Sequence, residues 1–252
     1  MKRIFIIATI LSIISFDSVH AAWLGTDSVE VKLRVGYNLG GTAPLGLPAT
    51  IRSIDAFRPT ASLRLGADAT LSLGDQWGLS AGLLLENKGM DAEVTTKSYR
   101  MEMRQGGSQI SGLFTGHVMQ EVSQWMITLP ITVDYRVSNF EFKAGPYFSL
   151  LLSKNFSGIA SDGYLRQGDP TGPRIDIGNK EGEWATYDFS DDMRSLQWGM
   201  SVGVDWQMTP RLGLSANLNW GLSGIFQNDF KTVEQTLYPI YGSVGVFWKI
   251  EN

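Results

Sequence analysis

The stretch Val29-Glu30-Val31-Lys32-Leu33-Arg34-Val35-Gly36-Tyr37-Asn38-Leu39 decides the fold. Its odd positions hold Val, Val, Leu, Val, Tyr and Leu. Its even positions hold Glu, Lys, Arg, Gly and Asn. A period of two puts all apolar side chains on one face of a strand and all polar ones on the other. A helix would scatter both sets around its axis.

Working outward, seven more segments alternate in the same way. They are Thr60–Ser72, Trp77–Glu86, Trp125–Arg136, Phe140–Leu152, Leu196–Met208, Leu212–Leu222 and Leu237–Ile250, with Leu84 out of phase in its segment. Short turns (Gly74-Asp75-Gln76, Ser138-Asn139, Thr209-Pro210) alternate with long connections at 40–59, 87–124, 153–195 and 223–236. An even strand number with this short–long rhythm is the pattern of an outer-membrane barrel. The reading is all-β: an eight-stranded antiparallel up-and-down transmembrane β-barrel with short periplasmic turns and long extracellular loops. Gln105-Gly106-Gly107-Ser108 predicts a hairpin that continues two strands beyond the bilayer. Asp169-Pro170-Thr171-Gly172-Pro173 predicts that 153–195 is mostly irregular.

Three features turn the apolar face toward lipid rather than toward a lipocalin-like core. The polar face is rich in glycine (Gly36, Gly66, Gly82, Gly145, Gly199, Gly203, Gly213). Small residues suit a lumen barely wide enough for side chains. Aromatics stand at the ends of the apolar face: Trp77, Tyr135, Phe140, Trp206 and Trp248 near the short turns, and Trp125, Phe148, Trp198 and Trp220 at the opposite ends. That spacing corresponds to about 20–25 Å along a membrane normal, close to the apolar band of such barrels. The middle of the face carries no charge.

Composition agrees. Lys2 and Arg3, the apolar run Ile4–Ile14 and Val19-His20-Ala21 read as a secretory signal over 1–21, leaving a barrel domain over 22–252. The chain contains no cysteine, so disulfides and thiolate metal sites are excluded. Its net charge of −4 argues against binding to nucleic-acid phosphates. No cofactor is expected.

Charges cluster on the inward face: Glu30, Lys32, Arg34, Arg64, Asp68, Glu86, Asp134, Glu141, Lys143 and Asp205. Unpaired charges in a low-dielectric lumen are costly, so a structural network of salt bridges is expected, with a polar pore lining as the alternative. Arg64 and Asp68, four residues apart on one face, are the expected coupled pair. Catalysis would rest on His117, the one histidine after the signal, with Ser108, Ser111 or Glu121 as partners, and no spacing singles these out. No catalytic or metal residues are assigned.

Three stretches resemble the PorT-like outer-membrane barrel family common in Bacteroidota. They are Met126-Ile127-Thr128-Leu129-Pro130-Ile131-Thr132-Val133-Asp134-Tyr135-Arg136, Lys143-Ala144-Gly145-Pro146-Tyr147-Phe148-Ser149-Leu150-Leu151-Leu152, and Gln197-Trp198-Gly199-Met200-Ser201-Val202-Gly203-Val204. Gln197 stands where that family usually has an aspartate. The two prolines require bulges or pairing gaps. The resemblance implies an outer-membrane barrel, with some members assisting secretion and most having no assigned activity. The expected function is a non-enzymatic barrel whose loops bind a partner or support the envelope. Its expected partners are outer-membrane lipid, the barrel assembly machinery during insertion, and an envelope protein of unknown identity. The alternatives are an accessory subunit of a secretion or uptake complex, a small pore, or an enzyme.

Overall fold

Strand β1 (Val29–Pro44) carries the deciding stretch, and both of its edges are paired. In the computed structural model, which describes residues 29–60, 62–230, 232–233 and 235–250, the chain continues as follows. After β1 come β2 (Ile51–Pro59), β3 (Ser62–Ser72), β4 (Trp77–Gln105), β5 (Ser108–Val137), β6 (Phe140–Gln167), β7 (Arg174–Ile177), β8 (Ala185–Asp188), β9 (Leu196–Gln207), β10 (Leu212–Gly221) and β11 (Leu237–Ile250). The signal expected at 1–21 lies outside the described residues.

From β1 the antiparallel ladder passes through β3, β4, β5, β6, β9, β10 and β11, and back to β1. Eight strands thus close into a ring with no free edge at its waist. At the closing seam the register runs without a shift, with Val31 facing Ile250 on one side and Ala69 on the other, whereas the β5–β6 ladder slips by one residue between Trp125 and Met126. The pairing gaps fall at the prolines without shifting the register. The β5–β6 pairs jump from Pro130–Tyr147 to Val133–Ala144, and the β4–β5 pairs from Ala81–Ile131 to Leu84–Thr128. Pro130 lacks an N–H, so a skipped rung is its natural accommodation.

Burial within the ring is inverted relative to a soluble protein. Val202 is 51% exposed, whereas Ser201 beside it is 6% exposed. Lys32, Arg34, Asp68, Asp134 and Asp205 are buried, and Leu33, Val35, Leu65, Val133 and Val204's neighbour Val202 face outward. Leu84, the out-of-phase residue, points into the ring together with Met126, Tyr147, Tyr241 and Phe247. Gly213 makes room for one of these: a Cβ there would lie 2.3 Å from the Phe247 ring.

Above the ring the structure departs from the sequence reading. The 153–195 connection is not mostly irregular. β6 runs on to Gln167, β7 pairs with Gly163–Arg166, and β8 pairs with Ser157–Ala160 and reaches Arg104 of β4 through Thr186. The Gly-Pro-rich segment marks only the β6–β7 turn. Strand continuation there depends on the edge that β5 offers, which local composition does not report. The 40–59 connection likewise contains the end of β1 and all of β2, which pairs with β4. The β4–β5 hairpin forms as expected, with Gly106 (φ +56°) and Gly107 (φ +82°) in its turn. Both positive φ values suit the twist of a two-residue hairpin.

Strands β4, β5 and β6 contain 29, 30 and 28 residues. At about 3.3 Å per residue each exceeds 90 Å, several times the apolar band of an outer-membrane barrel. Their far halves form a head with its own apolar core of Met101, Met103, Phe114, Val118, Phe156, Tyr187, Phe189, Ile225 and Phe226.

The outward facing of the ring is testable by charge insertion. Val202→Arg or Leu65→Arg should cost about 2–4 kcal/mol in lipid vesicles, and arginine at Met208, beside a short turn, about 0–1 kcal/mol. Urea unfolding measures this. Equal costs at all three positions would contradict the facing.

Candidate functional site

The ring interior brings the expected charges together in two groups. At the short-turn end, Lys32 lies 3.3 Å from Glu30, 2.8 Å from Glu141 and 3.4 Å from Asp205. Arg34 binds Asp68 and, at 2.6 Å, Asp205. Lys143 reaches Asp134 at 3.1 Å, Glu141 at 2.7 Å and Asp68 at 3.6 Å. Arg136 (2.9 Å from Glu141) and Lys249 (2.5 Å from Glu30) complete the network, and neither was singled out from sequence. Five carboxylates and five cations are thereby connected, so the group is formally neutral. Ser80 and Thr132 add hydrogen bonds to Asp134.

Nearer the head, Glu86 is fully buried between Arg64 (3.6 Å) and Lys88 (3.3 Å). The Lys88 ammonium lies 5.6 Å from the ring centroids of both Tyr147 and Tyr241. Gln197 donates to Gln124 at 3.1 Å. The void bounded by Arg34, Arg64, Asp68, Lys143 and Ser201 measures about 30 Å³, room for roughly one or two waters.

The expected Arg64–Asp68 pair is not formed. Asp68 binds Arg34, while Arg64 turns to Glu86 and to Ser243, 2.7 Å away. Residues four apart on a strand are separated by about 13 Å, whereas neighbouring strands lie about 4.8 Å apart. Asp68 faces Lys32 across the β1–β3 ladder, and Arg34 faces Gly66, whose missing side chain leaves the diagonal to Asp68 open. Cross-strand register decides the partners.

The aromatic residues lie on the outer face. Trp77, Trp125, Phe140, Phe148, Trp198, Trp206, Trp220 and Trp248 are exposed. Tyr135 is half-buried, with its ring 4.8 Å from that of Trp77.

In the head, a cleft of about 960 Å³ opens over β4, β5, β6 and β8. Ladder registers align Asp91, Glu121, Ser157 and Asp188 in one row, and Glu93, Met119, Ile159 and Thr186 in the next. These residues alternate with Val118, Val122, Phe156 and Ala160 of the head core. Hydrogen bonds from Ser190 hold the Asp188 carboxyl below its usual range, so it is charged at neutral pH. Burial pushes the hydroxyl of Tyr187 up, so it stays protonated. The head was legible only as a hairpin, because its core draws residues from connections that show no periodicity. His117 contacts Thr95 (3.1 Å) and Asp55 (3.7 Å), not the partners named from sequence, and stands exposed on the outside of β5. No cluster of metal-ligating residues occurs among the described residues.

The outer membrane protein beta-barrel domain model matches residues 22–227. The chain belongs to this family. It is a protein of the bacterial outer membrane. Solved structures to which the chain is similar include the following three. Ail, the attachment invasion locus protein of Yersinia pestis, has 8% identity over 89% of this chain and 100% of that one, with a TM-score of 0.37. Neisserial surface protein A has 12% identity over 90% and 99%, with a TM-score of 0.33. OprG of Pseudomonas aeruginosa has 12% identity over 90% and 99%, with a TM-score of 0.32. No curated protein matches the chain.

Register-based pairing makes a specific prediction. Arg34→Met or Asp68→Leu alone should cost about 3–5 kcal/mol if the pair is dry, and the double variant should recover part of that loss. Arg64→Met combined with Asp68→Leu should be additive within about 0.5 kcal/mol. Urea unfolding in vesicles distinguishes the two cycles, and coupling in the second without the first would refute the assignment.

Proposed function

We propose that this outer-membrane barrel is a closed, non-enzymatic scaffold that carries its head outside the cell as a binding surface. The observation that carries this reading is the head itself: long strands, a separate apolar core and an open cleft, all rooted in a rigid ring. Recognition is commonly placed on such projecting segments. In this reading the neutral network of Glu30, Lys32, Arg34, Asp68, Asp134, Arg136, Glu141, Lys143, Asp205 and Lys249, with Arg64 and Glu86 above it, is a structural plug. The aromatic residues on the outer face seat the ring at the two lipid interfaces. The motifs around Pro130 and Pro146 support a PorT-like affiliation. Residues 1–21 act as the signal, and the family match starting at 22 is consistent with that.

One observation favours a second reading, an accessory role in a secretion or uptake complex. Among the described residues nothing pairs with the outer edge of β2, and Ile54 and Phe57 on it are exposed, as are nearby Leu45 and Leu47. An open strand edge with apolar side chains is a template for a partner strand.

Planar-bilayer recordings test the plug: the parent should show no steady conductance, and stable channels would overturn it. Photocrosslinkers at Met119 in the cleft and Ile54 on β2 separate the two binding readings in intact cells. The first reading expects discrete adducts from Met119. Adducts confined to Ile54 would favour the accessory role. Protease cleavage of 168–173 only after permeabilisation would place the head on the wrong side of the membrane.

A further inference from the structure

One buried cation of the ring has no matching charge of its own. The group at the short-turn end is neutral, but the group nearer the head is not. There the single carboxylate of Glu86 stands against two cations, Arg64 and Lys88, and all three residues are buried.

Lys88 is the better served of the two. Its ammonium is 3.3 Å from Glu86 and 5.6 Å from the ring centroids of Tyr147 and Tyr241, and aromatic faces attract a cation. Arg64 stands 3.6 Å from the carboxylate, too far for a hydrogen bond. It donates instead to the hydroxyl of Ser243, which carries no charge. A guanidinium is always ionised and presents its N–H donors in a fixed fork. Burying one without a counter-charge is strongly destabilising.

The small void in the ring lies against this guanidinium. It measures about 30 Å³ and is bordered by three cations, Arg34, Arg64 and Lys143, and by one carboxylate, Asp68. Asp68 is already held by Arg34 and Lys143. Ser201 and Asn217 also border the void, and each has a donor to offer. A water molecule would fit, but it would leave the charge of Arg64 unmatched. A space of one or two waters is too small for phosphate or for an organic acid. A monatomic anion satisfies both the size and the charge.

We propose that this void binds one chloride ion, held by the Arg64 guanidinium, which balances the charge of the group nearer the head. This rests on the reading of the lumen as a closed plug and adds a ligand to it. The ion is enclosed as the ring closes and does not permeate.

The test uses the full chain refolded in phosphatidylcholine vesicles, separately in sodium chloride and in sodium gluconate at equal ionic strength. Gluconate is too large for the void. A ligand that binds only the folded state raises its stability as the ligand concentration rises. The urea midpoint of the parent should therefore climb as chloride replaces gluconate. Arg64→Met leaves Glu86 and Lys88 as a neutral pair, so its midpoint should be the same in both salts. Lys180→Met removes an exposed cation of the head and should keep the climb. Crystals of the parent grown in bromide locate the ion directly, and their anomalous map should show bromide in the void, in contact with Arg64. That map decides the matter even if Arg64→Met does not fold.

An equal climb in the parent and in Arg64→Met would overturn the proposal, because the salt would then be acting on the surface. A void without bromide would overturn it too, with water as the occupant. A steady chloride current in planar bilayers would overturn the plug instead, whatever the map shows.

Discussion

The ladder from Val31–Ile250 to Pro44–Leu237 turns a sheet into a ring, and the other properties of the molecule follow from that closure. In a bilayer, each unpaired backbone group would cost several kcal/mol. Closure removes that cost and encloses the inward face of all eight strands. The enclosed volume is small, so glycine and serine occur among the lining and a few large side chains fill the rest. Charged groups in such a space must neutralise one another. The balanced network at the short-turn end meets that requirement, with Phe247 packed 5.1 Å from the Lys32 ammonium and 5.5 Å from the Arg34 guanidinium.

Closure also explains how much could be read from sequence. Strand number, facing and the lumen-directed charges follow from alternation, because lipid outside and polar packing inside impose one period on every strand. The partners of those charges do not follow. Asp68 is four residues from Arg64 in sequence, yet it binds Arg34, because the register of β1 on β3 sets distances that no single strand reveals. Lys88, Arg136 and Lys249 escaped notice for a related reason. Arg136 and Lys249 sit at strand ends, where alternation blends into turns, and Lys88 lies within β4 where the strand passes from the ring into the head.

The head was harder to read. Its apolar residues come from the far halves of β4, β5 and β6, from β8, and from 225–230, with no common period. Phe156, Tyr187, Phe189, Phe226 and Phe230 meet only in three dimensions. The segment 153–195 looked irregular because glycine and proline mark its turn, whereas its strands depend on a neighbouring edge. The cleft rows contributed by β4, β5, β6 and β8 keep the spacing of the ladder.

The closing register has a consequence in time. Val31 belongs to the first strand of the ring and Ile250 to the last, so the seam that completes the ring joins segments far apart in the chain. Contacts of such separation are slow to form. Until β11 arrives, β1 and β10 are open edges, and the charged inner face has no enclosure. A chain interrupted before Leu237 would therefore be left as an open, aggregation-prone sheet rather than a smaller barrel. Synthesis must finish before insertion can, and the unfolded chain has to be kept soluble in the interval.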